Sequence, residues 1–360
     1  MSFDIVVGSD GVLLDSFRTV GRTFVISPYI TKKSNILVRI FKRVSPVFFK
    51  SVSTNRFLVK RRLKAFCLAR YDLVISNTIA TGDILSALPF RDAKIVTYVH
   101  EMENAIRTFT SPRGLAYVLK LSAHFLTVSK AVSNNLIINH NVSPTNISLL
   151  PSYIPLHESK SSILHSIKAE LAITSQFTVG FVGTSDWRKG VDLFIQVVFA
   201  LKDRIPSSCI KFIWIGADLG QQEFLRLSYD IENGGLKEYI TFVSPVPNAL
   251  DYMACMDVFL MTSREDPYPL VMVEAAMLSK PIICFDNSGG ATEFLDNNVG
   301  IIVPYLNTMA MAEAIFDLFH SQNAIARYGF LGREKYLQSH SEQVAIPELE
   351  RQIKRFCESA

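Results

Sequence analysis

Short apolar runs closed by glycine or proline alternate with helix-patterned stretches along this chain, and no other feature narrows its fold as far. Phe177–Val182 ends at Gly183, Ile210–Ile215 ends at Gly216, and Ile240–Val243 stops before Pro245. Val258–Met261, Pro281–Phe285 and Gly300–Val303 follow. Such runs, without polar alternation, suit strands buried on both faces. Between them, Val191, Phe194, Ile195, Val198 and Leu201 recur near helical spacing, predicting a helix over Val191–Arg204 that Pro206 ends. A second helix is predicted from Leu270 to Leu278. Strands alternating with helices in this way predict an α/β protein with a parallel, doubly wound sheet. The first half is less regular, with strand candidates at Asp4–Val7, Phe24–Ile26, Leu73–Ile75, Ile95–Val99 and Phe125–Val128.

At 360 residues, two domains are expected. Two prolines and the Ser/Lys cluster His157-Glu158-Ser159-Lys160-Ser161-Ser162 mark 155–175 as the linker. Residues 1–154 then form the first domain and 176–340 the second. The last stretch, 341–360, holds a helix over Val344–Phe356 expected to cross back to the first domain. With 49% apolar and 19% charged residues the chain is not intrinsically disordered. No run of 18 apolar residues is free of charge, so a spanning helix is not expected. Asp4 and Asp10 in an opening without a basic stretch argue against a signal peptide. Five scattered cysteines read as free thiols of a reducing compartment.

Charge divides the chain. Residues 1–150 carry 20 Lys and Arg against 8 Asp and Glu, and the remainder carries 17 against 25. From Ser16 to Tyr71 there are 14 basic residues and no acidic one. Ile36, Leu37, Phe41, Val47, Phe48 and Phe49 are interleaved with these cations. That mixture suits an anionic membrane surface better than nucleic acid, for which no motif is present. A solvated basic face is the alternative.

Three predicted strand-end loops carry the chemistry, because ligands of open α/β sheets bind beyond the carboxyl ends of strands. In Gly183-Thr184-Ser185-Asp186-Trp187-Arg188-Lys189-Gly190, adjacent cations open a helix and suit a diphosphate, although two surface cations would look the same. In Ser263-Arg264-Glu265-Asp266-Pro267-Tyr268-Pro269-Leu270, acids cluster at a strand end. Glu274 follows among Met272, Val273, Ala275 and Ala276, and a carboxylate in that setting needs a partner. Ribose hydroxyls would serve, as would a cap or an internal ion pair. In Asn287-Ser288-Gly289-Gly290-Ala291-Thr292-Glu293, paired glycines allow close backbone approach to phosphate or sugar.

Together with first-domain segments, these loops resemble the nucleotide-sugar glycosyltransferases of the GT-B fold, specifically the large retaining family 4 (glycosyl transferases group 1). The features are Lys189-Gly190 opening a helix, Asp266 and Glu274 eight positions apart, Lys280-Pro281 before a strand, and Gly289-Gly290-x-x-Glu293. His100 after a strand and Val128-Ser129-x-x-Val132-x-x-x-Leu136 add to them. The resemblance implies two Rossmann-like domains facing each other across a cleft. It implies transfer of a sugar, with retained anomeric configuration, from a nucleoside diphosphate to an acceptor hydroxyl. Lys189 and Arg188 would hold the diphosphate, Glu274 the ribose, and Asp266 the transferred sugar, with Glu265 beside it as a substitute. Backbone N–H groups of Leu270 and Val271 would meet phosphate. Gly183, Gly289, Gly290 and Glu293 would line the donor, and His100 would lie in the cleft. No metal or other cofactor is implied. The expected setting is polysaccharide biosynthesis on a glycan or lipid-linked acceptor, in the cytoplasm or peripherally on the inner membrane face.

This chain departs from the family pattern in several places. The first acid is Asp266 instead of Glu, Pro267-Tyr268-Pro269 replaces a glycine-aromatic-glycine, and Thr184 replaces a frequent Arg. The usual opening unit of strand, glycine loop and long helix is either missing or reduced to Asp4–Val7 with Gly8-Ser9-Asp10-Gly11. A catalytically degenerate glycosyltransferase-like protein, acting as a nucleotide-binding or partner subunit, is therefore the second reading. A nicotinamide oxidoreductase is disfavoured because no Gly-x-Gly-x-x-Gly opens a helix after a strand.

Overall fold

A computed structural model describes residues 4–9, 11–26, 61–67, 71–86, 93–150, 152–171, 173–174, 177–220, 222–296 and 298–358. Most of the basic segment 16–71, namely 27–60 and 68–70, lies outside them.

β1 (Asp4–Val7) and β2 (Arg22–Val25) pair in parallel as a separate two-stranded sheet, joined by the helix Leu14–Val20. Arg22 secures this pair with a forked contact to the Asp4 carboxylate, which also accepts from the Tyr71 hydroxyl. A β-α unit therefore does open the chain, in short form. The main sheet of the first domain is parallel, in the order β3 (Leu73–Ser76), β4 (Lys94–Val99), β5 (His124–Thr127), β6 (Ile147–Leu149). β6 escapes the sequence reading because three residues, Ile-Ser-Leu, carry too little pattern to register.

The second domain is a six-stranded parallel sheet built from β7 (Phe177–Val182), β8 (Ile210–Ile215), β9 (Ile240–Val243), β10 (Val258–Met261), β11 (Ile282–Phe285) and β12 (Ile301–Val303). Their spatial order is β12-β11-β10-β7-β8-β9, the doubly wound arrangement. β7, β10 and β11 are buried along their whole length, which is why their sequences do not alternate. Phe181, Phe194, Phe212, Trp214 and Phe259 interlock beneath them. Gly180 lets Met256 lie against the sheet: a Cβ there would come within 2.3 Å of its sulfur.

The segment 155–175 is more than a linker. Ser161–Glu170 is a helix, and Ile167 and Leu171 join the core of the second domain. Its polar first turn hides the apolar spacing of Leu164, Ile167 and Leu171 in the sequence. At the other end, the helix Glu342–Glu358 returns to the first domain, where Phe356 packs with Val96, Leu126 and Leu150.

The two crossings of the chain are clasped together. Tyr336 donates to the Ile154 carbonyl at 2.9 Å, and the His340 carbonyl accepts the Ile154 N–H at 3.1 Å. The His340 ring lies parallel to Tyr268, with Nε2 2.7 Å from the Tyr268 hydroxyl. Burial, assisted by Lys335, depresses the His340 pKa to about 4. The folded protein therefore refuses a proton that the unfolded chain accepts near pH 6.5. Stability should be full above that pH and fall as pH drops toward 4. Between pH 7 and pH 5 the loss from this group is about 2 kcal/mol. Urea melts of the wild type and His340→Gln at both pH values check this: the variant should lose that share of the pH dependence.

Candidate functional site

β11, β10 and β7 are neighbours, so the three chemically loaded loops emerge side by side at one carboxyl edge. Backbone bonds stitch them together. Asp266 N–H donates to the Ser288 carbonyl at 2.7 Å, and Gly290 N–H donates to the Asp266 carbonyl at 3.1 Å. Arg264 N–H donates to the Arg188 carbonyl at 2.8 Å, and the Thr262 hydroxyl to the Lys189 carbonyl at 3.2 Å. The stitching requires glycine. Gly190 has φ +74° and a Cβ there would lie 2.0 Å from the Thr262 oxygen; Gly289 has φ +122° and a Cβ there would lie 1.9 Å from the Asp266 oxygen.

The loop after β7 is organised by Asp186, whose carboxylate accepts from the Lys189 N–H at 3.0 Å and the Thr184 hydroxyl at 2.7 Å. Gly183 opens it, its carbonyl taken by the Trp214 indole N–H at 2.9 Å. Lys189 points to Asp266, and the two form an ion pair that is almost wholly buried. Arg188 stands next to it with no ion pair among the described residues. Sequence reasoning missed the residue that holds this loop. Arg264 grips both Asp192 oxygens at 2.8 and 2.7 Å, donates to the Trp187 carbonyl at 2.8 Å, and lies over the Trp187 ring. Only the adjacency of β7 and β10 reveals the pair, because Asp192 and Arg264 are 72 residues apart.

Glu274 lies on the helix Leu270–Met277 between buried neighbours. Its carboxylate has no hydrogen-bond or ion-pair partner among the described residues, and burial raises its pKa. Pro269 precedes the helix, whose first turn leaves the N–H groups of Leu270 and Val271 free of intrahelical partners. Tyr268, between the two prolines, packs against the cores of both domains. The Pro-Tyr-Pro stretch thus fixes a peg that spans the domain boundary.

Glu265 and Glu293 reach the first domain. Glu265 Oε2 accepts the Asn104 N–H at 3.2 Å, while Oε1 is buried without a partner. Glu293 accepts the Lys130 and Ala131 N–H groups at 2.8 and 2.7 Å, so both oxygens are engaged by backbone, not left open toward a donor. Across the boundary, His100 Nε2 bonds Asn77 Oδ1 at 3.0 Å, and its ring lies 4.1 Å from that of Tyr98. Glu101 fixes the turn, accepting from the His100 N–H at 3.0 Å and from the Thr78 hydroxyl. Burial lowers the His100 pKa, favouring neutral imidazole.

Residues 176–321 match the family described as Glycosyl transferases group 1. The matched residues span the second domain, from β7 to beyond β12. Among curated relatives, the chain is 23% identical over 271 residues to a D-inositol 3-phosphate glycosyltransferase of Paenarthrobacter aurescens, covering 69% of this chain and 64% of that one. It is 26% identical over 188 residues to the N-acetylgalactosamine-N,N'-diacetylbacillosaminyl-diphospho-undecaprenol 4-alpha-N-acetylgalactosaminyltransferase of Campylobacter jejuni, covering 52% of this chain and 48% of that one. The chain thus spans less than two thirds of the length of these relatives. The solved structure of HepE from Anabaena, in complex with UDP and glucose, superposes with a TM-score of 0.75 at 17% identity, covering 99% of this chain and 92% of that one. The likeness establishes the GT-B fold for the whole chain, with two Rossmann-like domains.

Arg264 is the fork on which the Lys189 loop rests. Arg264→Lys keeps the charge but cannot reproduce the forked contact. A local loss of about 1–2 kcal/mol is expected. Amides 186–190 should then exchange hydrogen about ten times faster, while the sheet amides of β7 stay protected. Unchanged exchange in the loop would remove Arg264 from this role.

Proposed function

We propose that the chain moves a sugar from a nucleoside diphosphate sugar to an acceptor hydroxyl, with retained anomeric configuration, in cell-surface glycan or polysaccharide synthesis. The observation that carries this reading is the Glu274 carboxylate, desolvated and unpartnered beside the free N–H groups of Leu270 and Val271. Ribose hydroxyls supply the donors that Glu274 lacks, and the open helix turn meets phosphate. Lys189 and Arg188 take the charge of the diphosphate, so no metal is needed. As the bond from the anomeric carbon to the phosphate oxygen breaks, its electron pair stays on the diphosphate, where these fixed cations stabilise it. The acceptor oxygen bonds to the anomeric carbon, and its proton passes to the departing phosphate oxygen. The second Asp266 oxygen and the Glu265 Oε1 are the acceptors offered to sugar hydroxyls. Neutral His100 sits on the opposing domain, toward the sugar.

HepE in complex with UDP and glucose supports a nucleotide-sugar donor, and the relative whose name carries a glycosyl-diphospho-undecaprenol supports a lipid-linked acceptor. A donor-binding protein without turnover is the second reading, favoured by the four-stranded first sheet with β1–β2 apart from it. A screen of UDP-, GDP- and ADP-sugars by thermal shift and slow hydrolysis separates the two. With the donor that binds, Glu274→Gln should lose about 1–3 kcal/mol of affinity. His100→Ala should keep affinity and lose turnover. Wild-type affinity in Glu274→Gln would overturn the ribose assignment.

We also propose that residues 16–71 dock on an anionic bilayer, bringing a lipid-linked acceptor to the cleft. No helix of the described residues is long and apolar enough to cross a membrane. Flotation with anionic but not neutral vesicles, lost at high salt, is expected. Replacing Lys60, Arg61, Arg62 and Lys64 with Ser should weaken it. Failure to float at low salt would point to a soluble acceptor.

A further inference from the structure

We infer that Glu293 and Glu265 are positioning residues that dock the first domain onto the donor loops and so set His100 over the donor. The inference deepens the donor reading above and rests on it. Each carboxylate belongs to a loop that carries the site: Glu265 adjoins Asp266, and Glu293 follows Gly289-Gly290. Each one ends on backbone N–H groups at the start of a helix in the other domain. Such N–H groups have no intrahelical partner and carry partial positive charge, so an acid is a natural partner.

The helix Lys130–His140 shows the division of labour. Its own Ser129 hydroxyl accepts the Val132 N–H at 3.2 Å, whereas the two preceding N–H groups go to Glu293, at 2.8 and 2.7 Å. The helix thus keeps a local cap when Glu293 is removed, and what Glu293 adds is attachment between domains. Glu265 makes the corresponding contact to Asn104, four residues beyond His100.

The glycine pair belongs to the same device. A Cβ at Gly290 would lie 2.9 Å from the Ser129 Cβ, and one at Gly289 would lie 3.0 Å from the Met102 sulfur. These glycines therefore admit the first domain as well as the loop after β10. Met102 is two residues beyond His100, so this contact and the Asn104 contact flank the end of β4 that presents the histidine. When the domains part, the Glu293 and Glu265 carboxylates and their N–H partners turn to water. The docking is accordingly reversible, as entry of donor and exit of product require.

The test uses Glu293→Ala, Glu293→Gln and the double variant Glu265→Ala with Glu293→Ala, each checked for wild-type-like melting. Small-angle scattering on the free proteins should give a larger radius of gyration for the double variant, with Glu293→Gln between it and the wild type. With the donor found in the screen, affinity of the two Glu293 single variants by calorimetry should be unchanged while turnover falls about 100-fold, the scale of a 1 Å misplacement of a reacting group. Scattering identical to wild type in the double variant, or equal losses of affinity and turnover in the Glu293 single variants, overturns the positioning role. Expansion of the double variant with no nucleotide sugar bound by the wild type supports the docking and overturns the donor reading instead. If the alanine variants unfold, the isosteric Glu293→Gln decides: unchanged scattering and turnover in it overturn the inference.

Discussion

The side-by-side placement of β11, β10 and β7 governs everything at the cleft. Parallel strands direct their carboxyl ends to one edge, and the strand order brings together loops separated by about a hundred residues of chain. Those loops then bond to one another through backbone groups at positions where only glycine fits. Such loops behave as one rigid surface set on a buried sheet. The chemistry therefore depends on the close packing of Phe181, Trp214, Phe259 and their neighbours, which holds the strand ends in register.

On that surface the charges are mostly settled in pairs. Lys189 with Asp266, and Arg264 with Asp192, each satisfy a desolvated charge. Arg264 has a second duty to the Trp187 carbonyl, so its pair is part of the scaffold. Lys189 has no other side-chain partner among the described residues, so its pair is the one the proposed diphosphate would enter. Charged groups left over in a partly dry setting, Arg188 and Glu274, lie on either side of it in sequence and have opposite sign. One needs an anion and the other needs donors. A nucleoside diphosphate offers both in a single molecule, which is why the proposed donor suits these two residues.

Much of this was legible in the sequence, for physical reasons. Strands buried on both faces have a composition of their own, so β7 to β12 are recognisable within a residue or two. Acids and cations gathered beside Gly and Pro marked the site loops. What escaped was whatever depends on long-range pairing. Asp192 in a first helical turn looks like a dipole partner until β10 places Arg264 beside it. Glu293 looks like a ligand residue until the first domain brings the Lys130 and Ala131 N–H groups against it. The helix Ser161–Glu170 was hidden because its polar first turn matches linker composition, and only packing distinguishes the two.

The Pro-Tyr-Pro departure makes sense in the same terms. Two prolines fix φ on either side of Tyr268 and remove backbone donors that a flexible glycine loop would offer. In exchange the Tyr268 ring enters both cores and its hydroxyl meets His340. His340 in turn accepts the Ile154 N–H, at the first crossing between domains. A single chain of contacts thus runs from the loop of Asp266, through Tyr268 and His340, to the first crossing between the domains. In a relative with glycines at these positions, loop motion and domain motion would be separable. Here the stacked rings and the proline-bound backbone join the Asp266 loop to the interdomain crossing, so the stiffness that removes two backbone donors also fixes the loop to both domains.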